Sequence, residues 1–357
     1  MRPSRGALSL ALLVGGVNAG CVNLRPPPVP LTANVAGDAP TPVWTTRPGR
    51  RLAGKVEVRG NTLYAGGLDR KVYAVDLASG DVRWSARLSG MIVGGVLLSG
   101  DTVFVATSRP EGRIMALGRA QGKRIWRTSA DPVAAPLAMI GGVLIVETQR
   151  GEVLGLDPGN GQVRWRRRVG TARGPATPAG GGGVLVSTTD SLFRLSLADG
   201  RITHRVASPG TVLDSWVAHN GSLIAGTSDS QVVAIHPADL RPAWAVTVDA
   251  PVPGAPAALG DTLFVVTRIG TVYRINPGAQ PTAERIAELA WPVTAPITMA
   301  GGHILLGGAD GTIRALRVDG SEIWRVRVWR PVELGPIALA DGVLAIGGNG
   351  DLHRYRR

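Results

Sequence analysis

The chain has 357 residues, 44% of them hydrophobic, enough for two average domains or one large repeat domain with a substantial core. Its 49 Gly and 26 Pro stand against 3 Phe and 4 Tyr, and beyond the first twenty residues no window sustains an apolar helical stripe, which excludes a helix-based fold and favours short strands joined by tight turns. The formal charge of +13 is almost wholly arginine, but without a groove-sized basic stripe interleaved with stacking aromatics it argues against a nucleic-acid partner.

In chain order, residues 1–20 come first. Arg2 and Arg5 form a basic head, Gly6 to Val17 an apolar stretch too short for a stable membrane span, and Asn18-Ala19-Gly20 a small-residue approach to Cys21. Cys21 is the only cysteine, so no internal disulfide is expected. The layout resembles a bacterial lipoprotein signal, which implies cleavage after residue 20 and lipidation of Cys21. Val22, where an inner-membrane retention signal favours Asp, implies the outer membrane, with the protein lipid-anchored on its periplasmic face. Residues 21–43 are Pro-rich and aperiodic, the composition of an extended, semi-rigid tether.

From residue 44 onward the chain is self-similar. Tryptophans or their stand-ins recur about every forty residues, at Trp44, Trp84, Trp126, Trp165, His204, Trp244, a degenerate slot near Ile286, and Trp324. Between them a two-strand phrase repeats, from GNTLYAGGLDRKVYAVD (60–76) to DGVLAIGGNGDLHRY (341–355), in eight copies. Each phrase alternates apolar residues on either side of a Gly- and Asp-rich turn, a third strand surrounds each Trp, and a Pro-bearing segment leads into the next phrase. Four short strands per unit of this length predict an all-β fold, an eight-bladed β-propeller of four-stranded antiparallel blades over 44–357. The last phrase has no Trp-bearing strand after it, whereas Trp44 stands before the first phrase with none of its own. The N-terminal strand is therefore expected to complete the last blade and close the ring, which removes exposed sheet edges.

The pattern A-x-D-x-x-x-G-x-x-x-W, met in full by Ala74, Asp76, Gly80 and Trp84, resembles the repeat of the quinoprotein (PQQ-type) propellers. The resemblance implies that Trp44, Trp84, Trp126, Trp165, Trp244 and Trp324 pack between blades, a structural role that suits a flat indole. The catalytic members of that group carry loop insertions, calcium ligands and often a vicinal Cys pair. Here the blades have no room for insertions and no Cys follows Cys21, and the five histidines show no close metal-ligand spacing. No catalytic residue, metal or cofactor is therefore expected.

With its lipoprotein-like start, Pro-rich tether and compact ring, the chain more closely resembles the BamB-like branch, cofactor-free lipoproteins of the machinery that inserts β-barrels into the outer membrane. That resemblance implies a non-enzymatic scaffold, a monomer within a complex, that docks a BamA-type subunit through propeller loops. Candidate contact residues are large side chains in inter-blade segments where the repeat carries small ones: Asp214 and Trp216, Trp329 and Arg330, and Arg173. Because all quinoprotein-type propellers share the repeat, two other readings stay open. One is a small PQQ-dependent dehydrogenase; the other is an envelope lipoprotein binding polysaccharide or another protein.

Overall fold

The computed structural model describes residues 39–357 except Ala290, Thr294 and Trp329, so residues 1–20, Cys21 and most of the expected tether lie outside the described residues. Among the described residues all regular structure is strand, arranged as eight four-stranded antiparallel sheets. Blades 1 to 7 are continuous in sequence, spanning 52–87, 96–129, 138–168, 177–207, 217–247, 257–288 and 298–327. Blade 8 takes three strands from the C-terminus, Val332–Leu339, Gly342–Gly347 and Leu352–Arg356, and its outermost strand, Thr41–Thr46, from the start of the described chain. The expected closure is what the structure shows.

Closure has its own chemistry. Trp44 pairs with Arg354 across the blade. Both reach blade 1, where the carbonyl of Leu77 accepts from Trp44 Nε1 at 2.9 Å and from Arg354 Nη1. The Arg354 guanidinium also donates to both carboxylate oxygens of Asp341, at 2.7 and 2.9 Å, so a buried cation is paired rather than stranded. Thr45 bonds the ring of His353 on the neighbouring strand at 3.1 Å.

The second and third strands of each blade, which make up the phrase, are buried on both faces, which is why they read as nearly unbroken apolar runs. In blade 1, Val72 and Ala74 pack toward blade 2, while Tyr73 and Val75 pack toward blade 8. Every interface between neighbouring blades is thus a core of its own, and the protein has a ring of cores instead of a single centre.

The repeat motif explains itself in three dimensions. Asp76 Oδ1 accepts from the backbone N–H of Ala78 and Ser79, and Asp157 Oδ1 does the same for Gly159 and Asn160, closing the turn before the outermost strand. Salt bridges to Arg83 and Arg164 join these hydrogen bonds in holding both carboxyls below the usual range. Ala74 stands directly opposite Trp84 and Ala116 opposite Trp126, small residues over which an indole can lie.

The turn glycine receives the indole of the preceding blade. A Cβ on Gly80, Gly122, Gly161 or Gly200 would come within 2.8, 2.5, 2.4 and 2.5 Å of Trp44, Trp84, Trp126 and Trp165 respectively. The same four glycines have φ between +67° and +81°, so both the close approach and the backbone require glycine. Each indole Nε1 then donates to the carbonyl three residues before that glycine (Leu77, Arg119, Pro158, Leu197) at 2.8–2.9 Å. Burying one such indole removes about 200 Å² from water, worth about 5 kcal/mol as an upper figure.

Candidate interaction face

Because strands alternate in direction, the turn between second and third strands and the connection between blades emerge on the same face of the ring. Backbone hydrogen bonds tie the two together in most blades: Gln149 N to Pro132 O, Ser228 N to Thr211 O, Arg268 N to Pro251 O, and Gly348 N to Pro331 O, at 2.7–3.0 Å. This connection face is therefore a rigid rosette of short loops, and the expected contact residues all belong to the segments that cross it.

Of those residues, Arg173 and Arg330 are exposed on this face. Arg173 is fixed at its root, its N–H donating to Ser187 O at 2.7 Å and its Nε to Thr189 Oγ1 at 3.2 Å, which leaves the rest of the guanidinium fork outward. Arg330 has no ion pair among the described residues. Trp329 lies outside the described residues.

The other pair has a different place. Trp216 is 5% exposed, its Nε1 donating to Ser187 Oγ at 2.7 Å, and it lines the central channel instead of standing on the surface. Its phase in the repeat gives the reason. Val133, Ala172, Val212 and Val293 each bridge to their own blade, and the residue four places on (Leu137, Ala176, Trp216, Ile297) is buried in each case. Trp216 is the largest occupant of a regular inward position. Asp214, two residues earlier, also lines the channel, and its Oδ2 accepts from Ala255 N in the approach to blade 6 at 3.0 Å. Burial raises its pKa, against the lowering effect of that hydrogen bond. Asp214 is a strap between blades.

The channel itself has a volume of about 1170 Å³ and is walled by the innermost strands of the blades and the segments that lead into them, with all eight blades contributing. Its wall is mainly aliphatic and proline. Lys55 and Glu57 form an ion pair there at 2.8 Å, leaving Asp214 as the other charged group of the lining. Among the described residues no group of three or more His, Cys, Asp or Glu is placed to hold a metal ion.

Two features escaped the repeat-based reading. Ile269, 56% exposed, stands at the tip of a turn on the connection face where equivalent turns carry Arg150, Asp229, Asp310 and Asn349. The signal was present in the sequence as an apolar residue at a polar turn position. Glu147 occupies a second-strand position filled elsewhere by Gly66, Ala106, Ser187, Gly226 and Val266. It is 3% exposed, both its carboxylate oxygens are buried without a hydrogen-bond partner, and desolvation raises its pKa well above 4.5.

Comparison with known proteins follows the fold. The family model described as outer membrane protein assembly factor BamB matches residues 33–176, 110–239 and 210–280. Outer membrane protein assembly factor BamB of Escherichia coli (strain K12) is 24% identical over 291 residues, 65% of this chain and 74% of that protein. A 90-residue stretch is 38% identical to the DNA damage-responsive serine/threonine-protein kinase RqkA of Deinococcus radiodurans, covering 24% of this chain but only 13% of the kinase. Among solved structures, BamB from Moraxella catarrhalis superposes with a TM-score of 0.74 at 18% identity, covering 89% of this chain and all of that one, a likeness of fold.

Proposed function

Since the chain belongs to the outer membrane protein assembly factor BamB family, we propose that it is a non-catalytic scaffold of outer-membrane β-barrel assembly that docks a BamA-type subunit through its connection face. The observation that carries this reading is the family match, which spans residues 33–280 through overlapping segments. The family is named for an assembly role and not for a reaction, and the protein is not an enzyme.

A scaffold needs a rigid surface with a few energetic contact points. The hydrogen-bonded rosette supplies rigidity, and Arg173, Ile269 and Arg330 supply exposed arginine and apolar groups on it. Trp329, adjacent to Arg330, completes the set proposed for contact. Trp216 and Asp214 contribute by holding the inner wall that positions these loops. At the other end of the chain, residues 1–20 serve as signal peptide and Cys21 as the lipidated anchor at the outer membrane. Residues 22–40 carry the propeller away from the bilayer on its periplasmic side, the strand Thr41–Thr46 already being part of blade 8.

The test is co-purification of the BamA-type subunit with folded Arg173→Glu, Ile269→Ser and Arg330→Glu variants, alone and combined. Recovery is expected to fall with each and to be lost in the triple variant; full recovery with the triple variant would overturn the assignment of this face. For the anchor, radioactive fatty-acid labelling should disappear in Cys21→Ala, and an unchanged label would exclude lipidation there.

A further inference from the structure

The rim of the ring is electrically lopsided. The outermost strands of blades 1 to 4 hold nine Arg (two, two, four and one in blade order) and no Asp or Glu. Those of blades 5 to 8 hold three Arg and three Glu. Within the basic half, one junction concentrates the charge.

In every blade the first residue of the third strand pairs with the last residue of the outermost strand. A junction between blades sets the outermost-strand end of one blade beside the third-strand start of the next. At the junction of blades 1 and 2 these positions are Arg87 and Arg113, two cations. At the next junction they are Ser129 and Glu152, then Arg168 and Ser191, and no other junction in the ring brings two cations together. The cleft between blades 1 and 2 has a volume of about 270 Å³, and Arg124 and Arg127 of blade 2 also line it.

Three of the four arginines are not spent on one another or on acids. Arg113 is half-buried and oriented, its Nε and Nη2 donating to Glu111 at 3.0 and 2.6 Å and its Nη1 to Ser129 Oγ at 3.2 Å. The side chains of Arg87, Arg124 and Arg127 make no hydrogen bond or ion pair among the described residues, and no Asp or Glu lines the cleft itself. The floor is Met115 and Leu117, 3% and 1% exposed, so a bound group would be partly withdrawn from water where charge-assisted bonds strengthen.

We propose that this cleft is a binding site for a phosphomonoester. Three uncompensated guanidinium groups match a dianionic group with three acceptor oxygens, whereas one carboxylate would leave most of the positive charge unanswered. The phosphomonoester can be a soluble compound or the headgroup of a lipid. Ile125, 56% exposed on the outermost strand beside Arg124, gives the lipid form an apolar neighbour. The cleft runs along the rim from the edge of the connection face, where Arg87 and Arg113 stand, toward the opposite face at Gly122 and Arg124, and the proposal does not rest on the docking role assigned to the connection face.

The experiment titrates the folded full-length protein with glycerol 3-phosphate by calorimetry, and separately floats it with phosphatidylcholine vesicles with and without phosphatidic acid. Saturable binding is expected in at least one arm, and the arm that responds identifies the source. The variant Arg87→Gln/Arg124→Gln/Arg127→Gln should weaken it by at least about tenfold, since it removes three charge-assisted donors at once. The control Arg166→Gln/Arg168→Gln/Arg205→Gln removes the same charge from blades 3 and 4 and should change binding less than about threefold, as expected for diffuse surface charge. No binding in either arm, or equal loss in the two variants, overturns the proposal.

Discussion

Trp126 and His204 occupy equivalent places in blades 2 and 4, opposite Ala116 and Arg194, yet only Trp126 is buried. Trp126 lies over Gly161, whose φ of +75° and missing Cβ make room for the indole. His204 is exposed, and where a glycine would meet it stands Leu240, fully buried at φ +63°. The leucine accepts a left-handed backbone that costs a non-glycine residue about 1 kcal/mol or more. In return its side chain joins Leu223 and Ile235 in the cluster between blades 4 and 5. One junction is filled from the preceding blade and the other from the following blade. The volume between two blades has to be filled, but the sequence is free to choose which blade fills it.

The largest expected effect tests that contrast directly. Trp126→Ala should destabilise the protein by about 3–5 kcal/mol, the usual cost of emptying a buried aromatic site, read as a lower urea midpoint. His204→Ala, at the equivalent place, should shift stability by no more than about 0.5 kcal/mol. Similar losses at both positions would show that the indole is not what seals the junction.

A smaller effect sharpens the same point by exchanging the two solutions. Leu240→Gly alone relieves the backbone but empties a buried site, and should cost about 3 kcal/mol. His204→Trp alone drives an indole against the Leu240 side chain and should cost about 1–3 kcal/mol by overpacking. Together they rebuild the Trp–Gly arrangement of the earlier junctions, so the double variant should recover at least about 1 kcal/mol relative to the sum of the singles. A double-mutant cycle with no coupling would mean that the two residues do not share one space.

Trp126 and His204 also mark how far the sequence could be read. The eight phrases, the Trp spacing and the orphan strand around Trp44 predicted the ring and its closure, because each is a local pattern with one packing solution. Departures from the pattern were harder. Trp216 looked like a surface anchor because neighbouring copies carry small residues, but burial depends on phase within the blade, and Leu137, Ala176 and Ile297 share that phase. Ile269 was visible as an apolar residue in a polar turn, but its place on a contact face, like the cleft of Arg87 and Arg113, was not, for a related reason. Their meaning comes from the face they emerge on, or from the blade set beside them, and neither is adjacent in sequence.

The interface between blades 3 and 4 supplies the last and smallest test, because it is the regular kind of junction with one irregular residue in it. Trp165 still lies over Gly200, but the second strand of blade 3 contributes Glu147 where its counterpart in blade 4 has Ser187, the acceptor for Trp216. A buried carboxyl without a partner is tolerable only when it is neutral. Desolvation raises its folded-state pKa well above 4.5, so the folded protein keeps a proton that the unfolded chain releases near that value. The stability it permits is therefore complete below pH 4.5 and declines as pH rises toward the folded-state value. Glu147→Gln keeps the shape and removes the titration. Its thermal midpoint relative to the parent should rise between pH 5 and pH 9, by an amount equivalent to about 1–3 kcal/mol. A difference that stays constant across that range would mean that the carboxylate finds a partner in solution and that this junction is as fully satisfied as its neighbours.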